Sequence, residues 1–80
     1  MPRFVLHHRH EPRECAAVFA AWKGVQSPLR HRATLASCLS GGHELWWHVE
    51  AADASAALGQ LPTYLADRAT ANEVREVQIP

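Results

Sequence analysis

Apolar positions along the chain follow two periods. Phe4, Val5 and Leu6 begin a run from Arg3 to His10 that stops at Glu11-Pro12, where a proline can open a helix. This run predicts a first strand. From Arg13 to Lys23 the spacing changes. Cys15, Val18, Phe19 and Trp22 recur at i, i+3, i+4 and i+7, alanine fills most gaps, and Gly24 supplies a stop. That stripe predicts a helix over 13–23. Val25 to Arg32 has no period and contains Ser27-Pro28, so it reads as a crossing loop. Residues 33–40 and 43–51 are strand-like runs around Gly41-Gly42, the signature of a two-residue hairpin turn. Asp53 or Ser55 can cap a second helix whose buried stripe is Ala57, Leu58, Leu61, Tyr64 and Leu65. Pro62 lacks the amide that would bond the Leu58 carbonyl, which predicts a kink or two abutting segments. Val74, Val77 and Ile79 mark a last strand over 73–79.

Two helices crossing between four short strands predict one α+β domain over residues 1–80 with the ferredoxin-like βαββαβ order. Its sheet would be four-stranded and antiparallel, with the first and third strands central and both helices on one face. The two-glycine turn predicts that Leu39 pairs with Glu44, Ser37 with Trp46 and Leu35 with His48 on one face. Cys38 with Leu45 and Ala36 with Trp47 fall on the other. Leu45, Trp47 and Val49 then point at the helices. The opposite face collects Leu35, Leu39, Trp46, His48 and Glu50, to which the first strand adds Val5, His7 and Arg9. A face so apolar calls for a cover. The expectation is a homodimer, or an assembly of dimers, whose two sheets enclose a ligand-sized interior as a dimeric α/β barrel.

Charge narrows the partners. Eight basic and eight acidic residues cancel, so no overall positive field exists to hold nucleic acid or an anionic membrane, and neither is an expected partner. Six histidines would swing the charge positive in mild acid, which should loosen the protein. No apolar run approaches the roughly 20 residues of a membrane span. The first residues enter a strand pattern rather than a signal peptide, and a cytoplasmic location is expected. Cys15 and Cys38 form no CxxC pair and occupy apolar positions, so both read as small buried hydrophobes. Arg30-His31-Arg32 reads as a solvated loop that could hold an anion.

Two constellations could carry chemistry. The first faces the expected barrel interior. His7 or His48, with Glu50, could move a proton next to a carbonyl; Arg9 could clamp a carboxylate; Trp46, Leu35 and Leu39 would wall a small organic acid or lactone, without any cofactor. In its bland alternative His48 and Glu50 merely pair across the dimer while Trp46 anchors it. The second is His8, His10, Cys38 and His43, gathered by the same register at one end of the sheet on the helix side. Imidazole and thiolate suit nickel, zinc or copper, and His8 and His10 at i and i+2 on one strand point the same way.

Gly42-His43 opening a strand, a helix ending in Leu58-Gly59-Gln60-Leu61-Pro62, and Glu73-Val74 leading to Pro80 resemble muconolactone isomerase and related small dimeric α/β-barrel proteins over about half the chain. The resemblance implies the ferredoxin-like fold, association through sheet faces, and cofactor-free isomerase or lyase chemistry on a small organic acid or lactone. The histidine cluster also resembles small histidine-rich members of that superfamily that bind a divalent metal such as nickel.

Overall fold

Strand β1 (Arg3–Arg9) alternates sharply between buried and exposed positions: Phe4, Leu6 and His8 are buried while Arg3 and Arg9 are open to solvent. Such alternation belongs to a strand covered on one face only. A computed structural model describing all 80 residues places β1 at the centre of a four-stranded antiparallel sheet, ordered β2-β3-β1-β4. Here β2 is Leu35–Ala36, β3 is Glu44–Glu50 and β4 is Ala69–Val74. This is the predicted ferredoxin-like order. Helix α1 (Cys15–Ala20) joins β1 to β2, and the second crossing is split into α2 (Ala54–Leu58) and α3 (Thr63–Ala66). Pro62 stands at the head of α3 as its N-cap, so the missing amide falls where no helical bond is lost. Asp53 caps α2 by accepting from the Ala56 amide at 2.8 Å.

The core is one cluster of 11 buried residues that joins Phe4, Leu6, Leu45, Trp47 and Val49 of the sheet to Val18 and to Ala57, Leu61 and Leu65. Leu6, Val18 and Leu65 are fully buried, and burying each contributes about 1.5–3 kcal/mol. No helix is long and apolar enough to cross a membrane.

Three boundaries differ from the sequence reading. The 13–23 stripe begins with a 3-10 turn at Pro12–Glu14, becomes α-helical only over α1, and ends in turns. Phe19 is consequently 55% exposed rather than buried. The last strand is 69–74 rather than 73–79, and Val77 and Ile79 are exposed beyond it. β4 directs the small residues Ala69 and Ala71 against the core, so it carries no strong apolar alternation to read.

The hairpin is the third correction. Leu35 pairs with Trp46 and Ala36 with Leu45, so the expected partners, His48 for Leu35 and Trp47 for Ala36, are displaced by two residues. Cys38 and Leu39 pair with nothing on β3, because residues 38–40 form a 3-10 turn. Ser37 closes the loop instead: its amide donates to the Glu44 carbonyl and its Oγ accepts from the Glu44 amide. Gly41 takes a left-handed φ of 85°, and a Cβ on Gly42 would collide with the Ser37 side chain. The two glycines thus serve a longer loop. Displacement by an even number keeps the side chains that remain in the ladder on their predicted faces, so the division into helix side and open side stands there.

Candidate metal centre

The loop that replaced the tight turn brings its cysteine and histidine back over the end of β1. The β1–β3 ladder runs past Arg9 and Glu44, where the His10 amide donates to the His43 carbonyl at 3.1 Å. His43 holds a φ of 53°, a conformation that histidine tolerates better than most residues. Cys15 arrives from the first turn of α1. Glu14, just before it, accepts from the Tyr64 hydroxyl at 2.8 Å and from the Arg68 guanidinium at 3.0 Å, which ties this junction to α3 and the segment after it.

One donor atom from each of His10, Cys15, Cys38 and His43 lies within 4.8 Å of the other three. Cys15 Sγ is 3.3 Å from His10 Nε2 and 3.1 Å from His43 Nδ1, and Cys38 Sγ is 3.9 Å from His10 Nε2. A tetrahedral ion with Zn–S of about 2.3 Å and Zn–N of about 2.0–2.1 Å needs N···S edges of about 3.6 Å and an S···S edge of about 3.8 Å. The three N···S separations, 3.1, 3.3 and 3.9 Å, bracket the N···S edge, and every other pair of donor atoms lies within 4.8 Å.

His8 is not among the four. It is fully buried behind His10, where its Nδ1–H donates to the Leu65 carbonyl at 3.0 Å. That bond leaves His8 Nε2 as an acceptor, and His10 Nδ1–H donates to it at 3.2 Å. The His10 proton is therefore fixed on Nδ1 and the lone pair of Nε2 points into the cluster. Burial is the largest cause lowering the pKa of both His8 and His10, and for His10 the neighbouring His43 adds to it. Both rings are held neutral, as a metal ligand requires. Burial likewise raises the Cys38 thiol, with Cys15 contributing. A bound dication would offset that desolvation by favouring the thiolate.

Of the predicted metal residues, the structure gathers His10, Cys38 and His43 and sets His8 one contact behind. Cys15 is the residue that the apolar stripe concealed. It is only half-buried, and its sulfur sits among imidazoles rather than in the core. A signal existed: Cys15 follows His10 by five residues and His43 follows Cys38 by five, in mirrored order.

The residues of the first constellation lie on the open face. His7 Nε2–H donates to Glu44 at 2.6 Å and stacks on Trp46 with ring centroids 5.5 Å apart. Glu44, not Glu50, is thus the carboxylate beside His7. His48, Glu50 and Arg9 are exposed, and none of them takes part in an ion pair. Leu35 is 66% exposed, while Leu39 has left the strand for the loop and is fully exposed. Comparison with protein-family models, with curated proteins and with solved structures gives no match for this chain.

Proposed function

We propose that this protein binds one transition-metal ion through His10, Cys15, Cys38 and His43, with zinc as the best-fitting ion. The observation that carries this reading is the mutual approach of two imidazole nitrogens and two sulfurs within 4.8 Å. A tetrahedral S2N2 donor set selects zinc over oxygen-preferring ions, and two thiolates balance the dication. The ion would join the end of β1 and the start of α1 to the β2–β3 loop, which is distant from them in sequence. In a chain of 80 residues that cross-link is a substantial part of folding stability.

The test is elemental analysis of protein purified without a histidine tag, followed by cobalt titration. About one metal per chain is expected. Cobalt should give tetrahedral d–d bands and thiolate charge-transfer absorption that weakens in Cys15→Ser and again in Cys15→Ser/Cys38→Ser. Protein that stays empty after zinc is added, or cobalt spectra unaffected by either substitution, would overturn the reading.

A second reading is favoured by the open sheet face, where Leu35, the strand partner of Trp46, stands exposed beside the His7–Glu44–Trp46 group, with Leu39 exposed in the loop that follows β2. A second copy would cover this face and enclose a small organic acid, with His7 or His48 as proton carrier for isomerase or lyase chemistry. Light scattering at micromolar concentration should then give a dimer that Leu35→Glu/Leu39→Glu converts to monomer. A wild-type monomer would end this reading and leave the metal centre untouched.

A further inference from the structure

On the helix side, a cavity of about 480 Å³ opens between the end of α1, the crossing loop and the free edge of the sheet. Pockets that bury small organic ligands run about 300–1,000 Å³. The inner wall is apolar: Trp22, Leu29, Leu45 and Trp47 line it, and the exposed Phe19 ring stands among them. Trp22 and Trp47 lie tilted with centroids 6.0 Å apart, presenting aromatic surface to the space. The crossing loop is held in place by Ser27, whose hydroxyl donates to the Gln60 carbonyl at 2.7 Å.

Beside His31 and Thr34, the charged part of the lining has one sign. Lys23, Arg30 and Arg32 all border the cavity, no Asp or Glu does, and none of the three forms an ion pair. In a chain whose formal charge is zero, this concentration is local and lies beside an apolar wall. Trp47 is part of the apolar wall. It is 5% exposed, and its Nε1–H is the one buried side-chain polar atom in the protein without a hydrogen-bond acceptor. With essentially no accessible surface, that N–H is packed within the protein rather than offered to the cavity, and Trp47 contributes only ring surface to the wall.

We propose that this cavity binds a small organic carboxylate with a planar apolar body, the body against Trp22 and Trp47 and the carboxylate held by Arg30, Arg32 and Lys23. Guanidinium groups match a carboxylate bidentately, and aromatic walls favour stacking with a flat ring. The site is on the opposite side of the sheet from the His7 face and needs no metal.

The protein's three tryptophans report the location directly. In a proton–nitrogen correlation spectrum of labelled full-length protein, each indole N–H gives one signal, with Trp46 assigned by Trp46→Phe. Titrated with 2-naphthoate, the Trp22 and Trp47 signals should shift saturably while Trp46, on the other face, stays in place. The neutral isostere 2-naphthamide should bind at least tenfold more weakly. Arg30→Gln/Arg32→Gln should lose tenfold or more in naphthoate affinity while keeping wild-type metal stoichiometry; if the double variant is poorly folded, Lys23→Gln makes the same test with a smaller loss. Absence of a saturable shift, a shift confined to Trp46, equal affinity for the amide, or undiminished affinity in the folded variants would overturn the proposal. Metal content is measured separately, so failure here leaves the metal reading standing, and the reverse holds too.

Discussion

Replacing His8 with phenylalanine tests whether the buried histidine behind the cluster sets its metal affinity. His8 is fully buried and links Leu65 to His10 through two hydrogen bonds, at 3.0 and 3.2 Å. Phenylalanine keeps a flat ring, slightly larger than imidazole, and removes both bonds. The Leu65 carbonyl still accepts from the Arg68 amide at 3.0 Å, so the orphan left behind is His10 Nδ1–H. Two neutral hydrogen bonds at about 0.5–1.5 kcal/mol each predict a loss of about 1–3 kcal/mol from the metal-free fold. Freed from its acceptor, the His10 ring can turn or change tautomer. Loss of such an outer partner costs about 10- to 100-fold in metal affinity, or about 1.4–2.7 kcal/mol. Competition between the protein and a chelator for cobalt measures the affinity, and circular dichroism confirms that the variant is folded. The same substitution in a His10→Ala background separates the relay from general damage, because His8 then has no ligand to orient. A His8→Phe affinity within twofold of wild type, or an equal loss in both backgrounds, would refute the relay.

Acid should destabilise the metal-free protein. His8 and His10 are held below the ordinary histidine value of about 6.5, chiefly by burial, so below that pH the unfolded chain binds more protons than the folded one. Stability then falls as pH drops from about 6.5 through the lowered folded values, at no more than about 1.4 kcal/mol per pH unit for each ring. Urea midpoints should be lower at pH 5.5 than at 7.5, and equal midpoints would contradict the buried neutral pair. Gly42→Ala should cost about 1–3 kcal/mol through collision with Ser37, and should weaken metal binding because Cys38 and His43 share that loop; an unchanged melting temperature would count against this loop geometry. Because the Cys38 thiol is pushed up by burial, metal binding should release protons and tighten as pH rises. Calorimetry in buffers of different ionisation enthalpy checks this, and binding enthalpies that do not depend on the buffer would contradict it.

Much of the architecture was legible because side-chain alternation survives errors of local geometry. The faces of β1 and β3 followed from Phe4, Leu6, Leu45, Trp47 and Val49 even though the hairpin register was displaced, since a shift of two residues preserves sidedness. The break at Pro62, and Asp53 as one of the two caps open to α2 beside Ser55, were readable from rules of the backbone alone. β4 was misplaced because alanines packed beneath close helices leave no apolar rhythm, whereas exposed Val77 and Ile79 imitate one. His10 and His43 met as their strand positions implied. Cys15 was hidden by its helix stripe: apolar spacing says which face of a helix turns inward, not whether hydrocarbon or imidazole waits there. The cavity behind Trp47 depends on how an aperiodic loop folds back, so Arg30 and Arg32 gave only a charge run.

X-ray absorption at the zinc edge of the loaded protein tests the central claim most directly. Two sulfur neighbours at about 2.3 Å and two nitrogen neighbours at about 2.0–2.1 Å are expected, with one sulfur lost in Cys15→Ser. A shell of oxygen and nitrogen alone, or one unchanged by that substitution, would contradict the assignment of His10, Cys15, Cys38 and His43 as the metal centre.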